Sequence, residues 1–366
     1  MKRVARWIAS WRGLSFREGA GRLYRLAGDF FSIVAIAVVV ATSFLLLLLD
    51  GYGEKHWLLA TLLYLPGVVW VLPALILLPC CLVFCFRYAL MLFAFIVGYA
   101  WLFMGYQFSN EAIESDEGTV TLLSNNVGNN GKTTIDQFAD LHEPDLMAFQ
   151  EALPPRFYRE KYPEWEVRSH GEFAFVSRFP IIEAGVVDEV RWGTVGVAAR
   201  YVVELPSGGK LVVYNVHLPT RRFIMEGMRG KGLASAIFGG NQGYGSQMRK
   251  QNRDFFSGQI DLVERLIARV QSESFPTVLC GDFNVPPHGI IYRRLSAAFG
   301  DAFEEKGRGY GHTFPGKTRN PLSFFRPWLR IDYAFAGNGV QFLSAEVEAD
   351  RPSQHRAIVV SYNVVE

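Results

Sequence analysis

Residues able to hold a hard cation or to receive phosphate oxygens recur along this chain at one kind of place, the end of an oily run. LLSNNV stops on Asn125 and Asn126, LMAFQE on Glu151, VVYNVH on Asn215 and His217, and VLCGDFN on Asp282 and Asn284. RIDY carries Asp332, and SQHR carries Gln354 and His355. A carboxylate can orient or deprotonate a water, an amide can donate to a phosphoryl oxygen, and a histidine titrates near neutral pH. Side chains two apart on a strand face the same way. Asn215 therefore points with His217, and Asp282 with Asn284, while Phe283 turns toward the core. Taken singly, each of these residues equally fits a turn or a hydrogen-bonded structural position.

The strands that would position them run over 119–127, 145–151, 172–178, 210–218, 276–284, 330–336 and 356–364. Each is a short apolar run bounded by turn residues. Between them, Phe256, Ile260, Val263, Ile267 and Val270 recur at helical spacing and predict a helix over 249–271. A second helix is predicted over 288–299. Strands with a few intervening helices make an α/β or α+β sandwich of about 250 residues. The loop from Pro219 to about Gln247 is long and glycine-rich and carries Arg221, Arg222, Arg229 and Lys231. Its GGNQGYG run (239–245) matches neither a P-loop nor a dinucleotide fingerprint, so a functional loop and a mobile surface loop both remain open.

Upstream of these strands the chain is continuous oil. Residues 30–49, FFSIVAIAVVVATSFLLLLL, are uncharged and long enough to cross a bilayer. Residues 57–86 form a second apolar run interrupted by Pro66, Pro73 and Pro79, and residues 88–108 a third. Three transmembrane helices are expected, with a re-entrant hairpin over 57–86 as the alternative. The first 29 residues hold Lys2, Arg3, Arg6, Arg12, Arg17, Arg22 and Arg25 against Glu18 and Asp29. The positive-inside rule then makes the N-terminus and Arg87 cytoplasmic and puts everything after residue 109 on the outer face. The expected organisation is a basic cytoplasmic segment (1–29), a multi-pass cell-membrane anchor (30–108) and a soluble domain (109–366).

That domain carries 28 Lys/Arg against 31 Asp/Glu, an acidic balance that argues against a generic nucleic-acid binder. The four cysteines, Cys80, Cys81, Cys85 and Cys280, show no metal-binding spacing and no disulfide framework, and read as buried apolar thiols.

In their order along the chain, SNNV, FQE, VSRFPI, YNVHL, GDFNVPP, HTFP, RIDYAFA and SQHR resemble the endonuclease/exonuclease/phosphatase (DNase I-like) superfamily over residues 119–364. The resemblance implies a four-layer α/β sandwich with its active site at one end of two packed sheets. It implies that Glu151 is the principal Mg2+ ligand (Mn2+ being the substitute) with Asn126 beside it. Asp282 and Asn284 would position the attacking water and contact phosphate, His217 and Asn215 would bind phosphate, and Asp332 would fix the tautomer of His355. Mg2+ wants hard oxygens, few protein ligands and retained waters, which suits this set. Gln354 stands where the family usually has Asp and makes a weak metal ligand, and Gly128 stands where some members carry an acid.

An N-terminal set of spans followed by such a domain resembles bacterial VanJ/teicoplanin-resistance-like membrane proteins. That implies hydrolysis of a phosphoester or phosphoanhydride in a lipid-linked (pyro)phosphate, with the bilayer and a phosphorylated lipid as partners and no obligate protein partner. PLSFFRPWLR (321–330) mixes Phe324, Phe325 and Trp328 with Arg326 and Arg330, as an interfacial belt would, and as ordinary packing of a loop on the sandwich equally would. Phe223, Ile224 and Met225 of the long loop fit the same reading. The alternatives are an anchored extracellular nuclease, a sphingomyelinase-like phosphodiesterase and a non-catalytic phospholipid-binding module.

Overall fold

A computed structural model describes residues 15–109, 118–128, 135–220, 235, 243–316, 327–349 and 351–365. The chain divides into two units, residues 1–47 with 67–104, and residues 48–66 with 105–366. Its first helices are α1 (Phe16–Tyr52), α2 (Trp57–Leu62), α3 (Val68–Phe84) and α4 (Phe86–Leu102). A capping box starts α1: the backbone N–H of Ser15 donates to Glu18 Oε2 at 2.9 Å, and that of Glu18 donates back to Ser15 Oγ at 3.4 Å.

In the first unit the buried seam is made of small residues, Ala35, Ala74, Cys81 and Ala89, with Leu92. Large side chains point outward instead, among them Ile33, Val40, Phe44, Leu47, Ile76 and Phe93. Among the described residues, α1 alone is both long and apolar enough to cross a membrane; α3 and α4 have 17 residues each. At 1.5 Å per residue those two reach about 25 Å, just under a bilayer's hydrocarbon thickness. The second apolar run is split rather than continuous. Residues 57–66 fold with the second unit, and the helix restarts at Val68, past Pro66. Within this stretch Ala60, Leu63 and Tyr64 are buried. Lys2, Arg3, Arg6 and Arg12, on which the orientation rests, lie outside the described residues.

The second unit is a sandwich of two six-stranded sheets. In chain order its strands are β1 (Val120–Asn126), β2 (Leu146–Gln150), β3 (Glu166–His170), β4 (Phe173–Ser177), β5 (Ile181–Val186) and β6 (Ala198–Glu204). They continue with β7 (Lys210–His217), β8 (Thr277–Asp282), β9 (Gly300–Asp301), β10 (Asp332–Ala336), β11 (Val340–Val347) and β12 (Ile358–Val364). One sheet runs β9-β10-β8-β7-β6-β5 and the other β11-β12-β1-β2-β4-β3. Each has a single parallel pair at its centre, β7 with β8 and β1 with β2, flanked by antiparallel strands.

Alternate residues of both sheets meet in the inner core: Leu122 and Ala148 from one, Val213, Val278 and Tyr201 from the other. The outward residues Leu123, Met147 and Phe149 pack with Tyr158 of the helix Pro155–Lys161. On the other sheet Phe283, Tyr333 and Phe335 stack with one another, and Tyr292 of the helix Gly289–Ala298 covers them. Phe283 is thus in the core, opposite in direction to Asp282. The helix predicted over 249–271 starts earlier, at Tyr244, and so absorbs the end of the GGNQGYG run. Residues 221–234 and 236–242 of that loop lie outside the described residues.

Five of these strands were not legible in the sequence: β3, β5, β6, β9 and β11. Bulges explain two of them. The register shifts between Ile181 and Glu183 in β5 and between Phe342 and Ser344 in β11, which breaks the period-two pattern that marks a strand.

Arg330 is a correction of another kind. Expected in an interfacial belt, it is only 6% exposed and its guanidinium donates to Asp301 Oδ1 at 2.9 Å and to Tyr292 Oη at 3.0 Å. It is a strut, not a lipid contact; Phe324, Phe325 and Arg326 lie outside the described residues. Arg330→Ala should destabilise the domain by about 3 kcal/mol, since it strands a buried carboxylate. Membrane retention should be unchanged. Chemical denaturation and fractionation of the same variant measure both.

Candidate active site

Sheet register brings the strand-end polar residues into one row. Across β7, β8 and β10, His217 is paired with Asp282 and Asp282 with Asp332. On the facing sheet, β1 ends at Asn126, level with Gln150 at the end of β2, and Glu151 follows. β12 begins beside β1, Ile358 against Ser124, so the preceding His355 arrives at the same edge. The C-terminal ends of both central parallel pairs therefore open onto one hollow, the usual site in such sheets.

Asp282 is its centre. Its Oδ1 accepts the backbone N–H of Asn284 at 2.9 Å, and its Oδ2 accepts Asn126 Nδ2 at 2.9 Å. That same Oδ2 lies 3.7 Å from Nε2 of both His217 and His355. Burial raises the Asp282 pKa and the neighbouring Asp332 adds to this, against the pull of the two histidines. Gly281 lets the strand end so closely packed: a Cβ there would strike the Val216 carbonyl, and its φ of +139° suits only glycine.

Each histidine is held by its own acid. His355 Nδ1 lies 3.0 Å from Oδ2 and 3.2 Å from Oδ1 of Asp332. Burial opposes its charged form, but Asp332 and Asp282 outweigh burial and push its pKa up to about 9. Thr313 supports this pair, its Oγ1 accepting the backbone N–H groups of Ile331 and Asp332 at 3.2 and 3.3 Å. His217 Nδ1 lies 3.1 Å from Glu172 Oε1. Burial again opposes the proton there, and Glu172 and Asp282 overcome it, so the pKa is raised.

Glu151 stands at the mouth, in the left-handed region at φ +45°, with Asn126 Nδ2 3.5 Å from its Oε1. The hollow thus gathers Glu151, Glu172, Asp282 and Asp332 around two imidazoles held toward their charged form. The hard carboxylate oxygens of Glu151 and Asp282 suit a divalent cation, whereas Asn126 turns its Nδ2 to both of them and its Oδ1 accepts the backbone N–H of Gly128 at 2.9 Å. Asp282, Asp332 and His355 also bring ligand atoms within 4.8 Å of one another. Glu151 suits Mg2+ better, because Asp332 and His355 are already committed to each other. The two departures from the family pattern are neighbours. A Cβ on Gly128 would lie 3.9 Å from the Gln354 side-chain amide, so one side of the hollow lacks two acids together.

Asn215 does not reach this hollow. It shares the inward face with His217, but lies two residues back and about 7 Å deeper. There its amide donates to the carbonyls of Phe149 (3.0 Å) and Ala174 (3.3 Å), and its Oδ1 accepts Gln150 Nε2 at 2.6 Å. With both donors used across the sheet interface, the expected phosphate contact gives way to a structural role. Asn284 keeps one amide hydrogen for a ligand; the other goes to the Leu218 carbonyl at 2.9 Å. Glu172 and Thr313 were missed. Glu172 sits beside Gly171 (φ +61°) in the turn between β3 and β4, where an acid normally reads as solvated.

A two-sheet sandwich with two histidine–acid pairs around a cation-fitting carboxylate hollow defines a metal-dependent phosphoester hydrolase. Residues 123–355 match the endonuclease/exonuclease/phosphatase family, and the chain belongs to it. Members of this family are metal-dependent phosphoester hydrolases, and this chain is an enzyme of that class.

Among curated protein sequences, none matches the chain. Similar solved structures include a humanized D. rerio TDP2 with 14 mutations (14% identity, TM-score 0.48, covering 68% of this chain and 100% of that one). A family protein from Bacteroides thetaiotaomicron gives 18% identity and a TM-score of 0.47, covering 67% of this chain and 97% of that one. A mannosyl-6-phosphatase from Bacteroides thetaiotaomicron VPI-5482 gives 17% and 0.45, covering 66% and 99%.

Proposed function

We propose that this enzyme is anchored in the cell membrane by α1, α3 and α4 and hydrolyses a lipid-linked phosphate or pyrophosphate at the outer face. The observation that carries the lipid half of the reading is the inverted surface of the first unit. Its seam is mostly alanine and cysteine, with Leu92, while Ile33, Val40, Phe44 and Leu47 face outward, 61–72% exposed. Small residues inside and large apolar ones outside are the pattern of helices packed in lipid. A site tethered to a bilayer meets lipid substrates at high effective concentration.

Within the hollow, Asp282 takes the proton of the attacking water; its raised pKa makes it the stronger base. His355, charged through Asp332, donates to the phosphoryl oxygens as negative charge grows on them, and His217 does the same from the opposite side. Asn284 orients the phosphate with its remaining amide hydrogen. Glu151 would hold Mg2+, with Asn126 and Gln354 beside it, and a bound ion would supply Lewis-acid polarisation of the phosphoryl group.

The full-length enzyme in detergent with Mg2+ should release phosphate from a polyprenyl pyrophosphate, and EDTA should stop it. Plasmid DNA and sphingomyelin belong in the same panel. Nicked DNA with intact lipid pyrophosphate would replace the proposal with an anchored nuclease; cleavage of sphingomyelin alone would replace it with a phosphodiesterase.

A further inference from the structure

The connector between α1 and α3 folds as part of the catalytic unit, packing on the helix Tyr244–Gln271 and on the stretch that follows Asp282. Tyr64, 8% exposed, donates its hydroxyl to the Asn284 carbonyl at 2.8 Å. Asn284 sits at φ +52°, a conformation that costs a non-glycine residue energy and needs support from its surroundings. The next carbonyl, Val285, is held in the same way by Tyr333 Oη at 3.0 Å. Six residues on, the chain is held again. Glu54, 3% exposed, accepts the backbone N–H groups of Ile290 (2.7 Å) and Ile291 (3.4 Å) at the start of the helix Gly289–Ala298. A Cβ on Gly289 would come within 2.6 Å of that carboxylate, and its φ is +87°. The stretch 284–290 is therefore fixed at both ends by a segment that sequence reading assigned to the membrane.

We infer that Tyr64 is a positioning residue of the active site, aiming Asn284 at phosphate through its carbonyl, and that residues 48–66 lie on the same side of the membrane as the catalytic domain. The positional part rests on the hydrolase reading of Asp282 and Asn284; the sidedness does not. Because the chain leaves the catalytic unit at Pro66 and rejoins it at Gly105, it crosses the bilayer an even number of times between them. A hydrolase site thereby depends on the loop that the first span delivers to it.

Tyr64→Phe in the full-length protein should lower kcat about fivefold to tenfold, the loss of one hydrogen bond, with KM and melting temperature unchanged. In an Asn284→Ala background the same substitution should add nothing, since Tyr64 acts through that residue. Unchanged kcat, or losses that multiply with those of Asn284→Ala, would overturn the positioning role. Should Tyr64→Phe fail to accumulate, Glu54→Gln serves in the same cycle and should show a smaller loss that also vanishes. Sidedness is read separately, with a membrane-impermeant maleimide on intact cells carrying Lys55→Cys or Ser207→Cys, both exposed positions. Labelling of both from one side is expected. Labelling from opposite sides would sink the docked connector, whatever the enzyme hydrolyses.

Discussion

Asp282→Asn should lower turnover about 10³–10⁴-fold while leaving the protein folded. The asparagine fills the same volume, and its oxygen can still accept the backbone N–H of Asn284, now 2.9 Å from Oδ1. What disappears is the basic oxygen that faces Asn126 and both histidines. No other carboxylate in the hollow can take over: Asp332 is engaged with His355, Glu172 with His217, and Glu151 lies at the mouth. Stability should change little, because relief of a buried charge is offset by the new amide group facing the Asn126 Nδ2 donor. Steady-state kinetics beside a melting curve measure both. Activity within tenfold of the parent enzyme, or a melting temperature that falls in step with activity, would reduce Asp282 to a structural carboxylate.

Turnover should fall as pH rises through about 9, the pKa to which Asp332 and Asp282 push His355 against burial. The sign follows from the charge. Below that pH the imidazolium donates to the phosphoryl group; above it the donor's charge is lost. The same group contributes stability that is fully present below about 6.5, its unfolded value, and is lost as pH climbs through about 9. Asp332→Asn removes the larger of the two stabilising charges while keeping a hydrogen-bond acceptor for Nδ1. Turnover should drop about 10²–10⁴-fold and the alkaline limb should move toward the ordinary histidine range. A limb that stays near 9 in Asp332→Asn would mean that another group titrates there.

Much of this site was legible because its residues end strands, and strand ends are visible as oily runs that stop on polar groups. Glu151, Asp282, Asp332 and His355 could be named without coordinates. Asn215 could not be separated from His217, since both lie on the inward face of β7 and only the sheet opposite shows which one is capped by Phe149 and Ala174. Glu172 carried no local mark, its partner being 45 residues away in a different sheet. Tyr64 and Glu54 were concealed for a different reason. An apolar connector between apolar helices has the hydropathy of a span whether it meets lipid or the flank of a domain. Arg330 was misread in the same manner, because an arginine among aromatics suits a membrane interface and a buried strut alike, and Asp301, which decides between them, is 29 residues upstream.

Local pattern by itself marked most of the strand-end candidates, the resemblance to the family and the presence of an apolar helix long enough for a bilayer. These depend on neighbours along the chain, where alternation and composition suffice. Depth and pairing came only with the tertiary structure: that Asn215 lies under the site, that Glu172 holds His217, and that Tyr64 reaches the Asn284 carbonyl. Alternation tells which face a side chain takes, but how far it lies from the mouth and what stands opposite are set by the register and packing of distant strands.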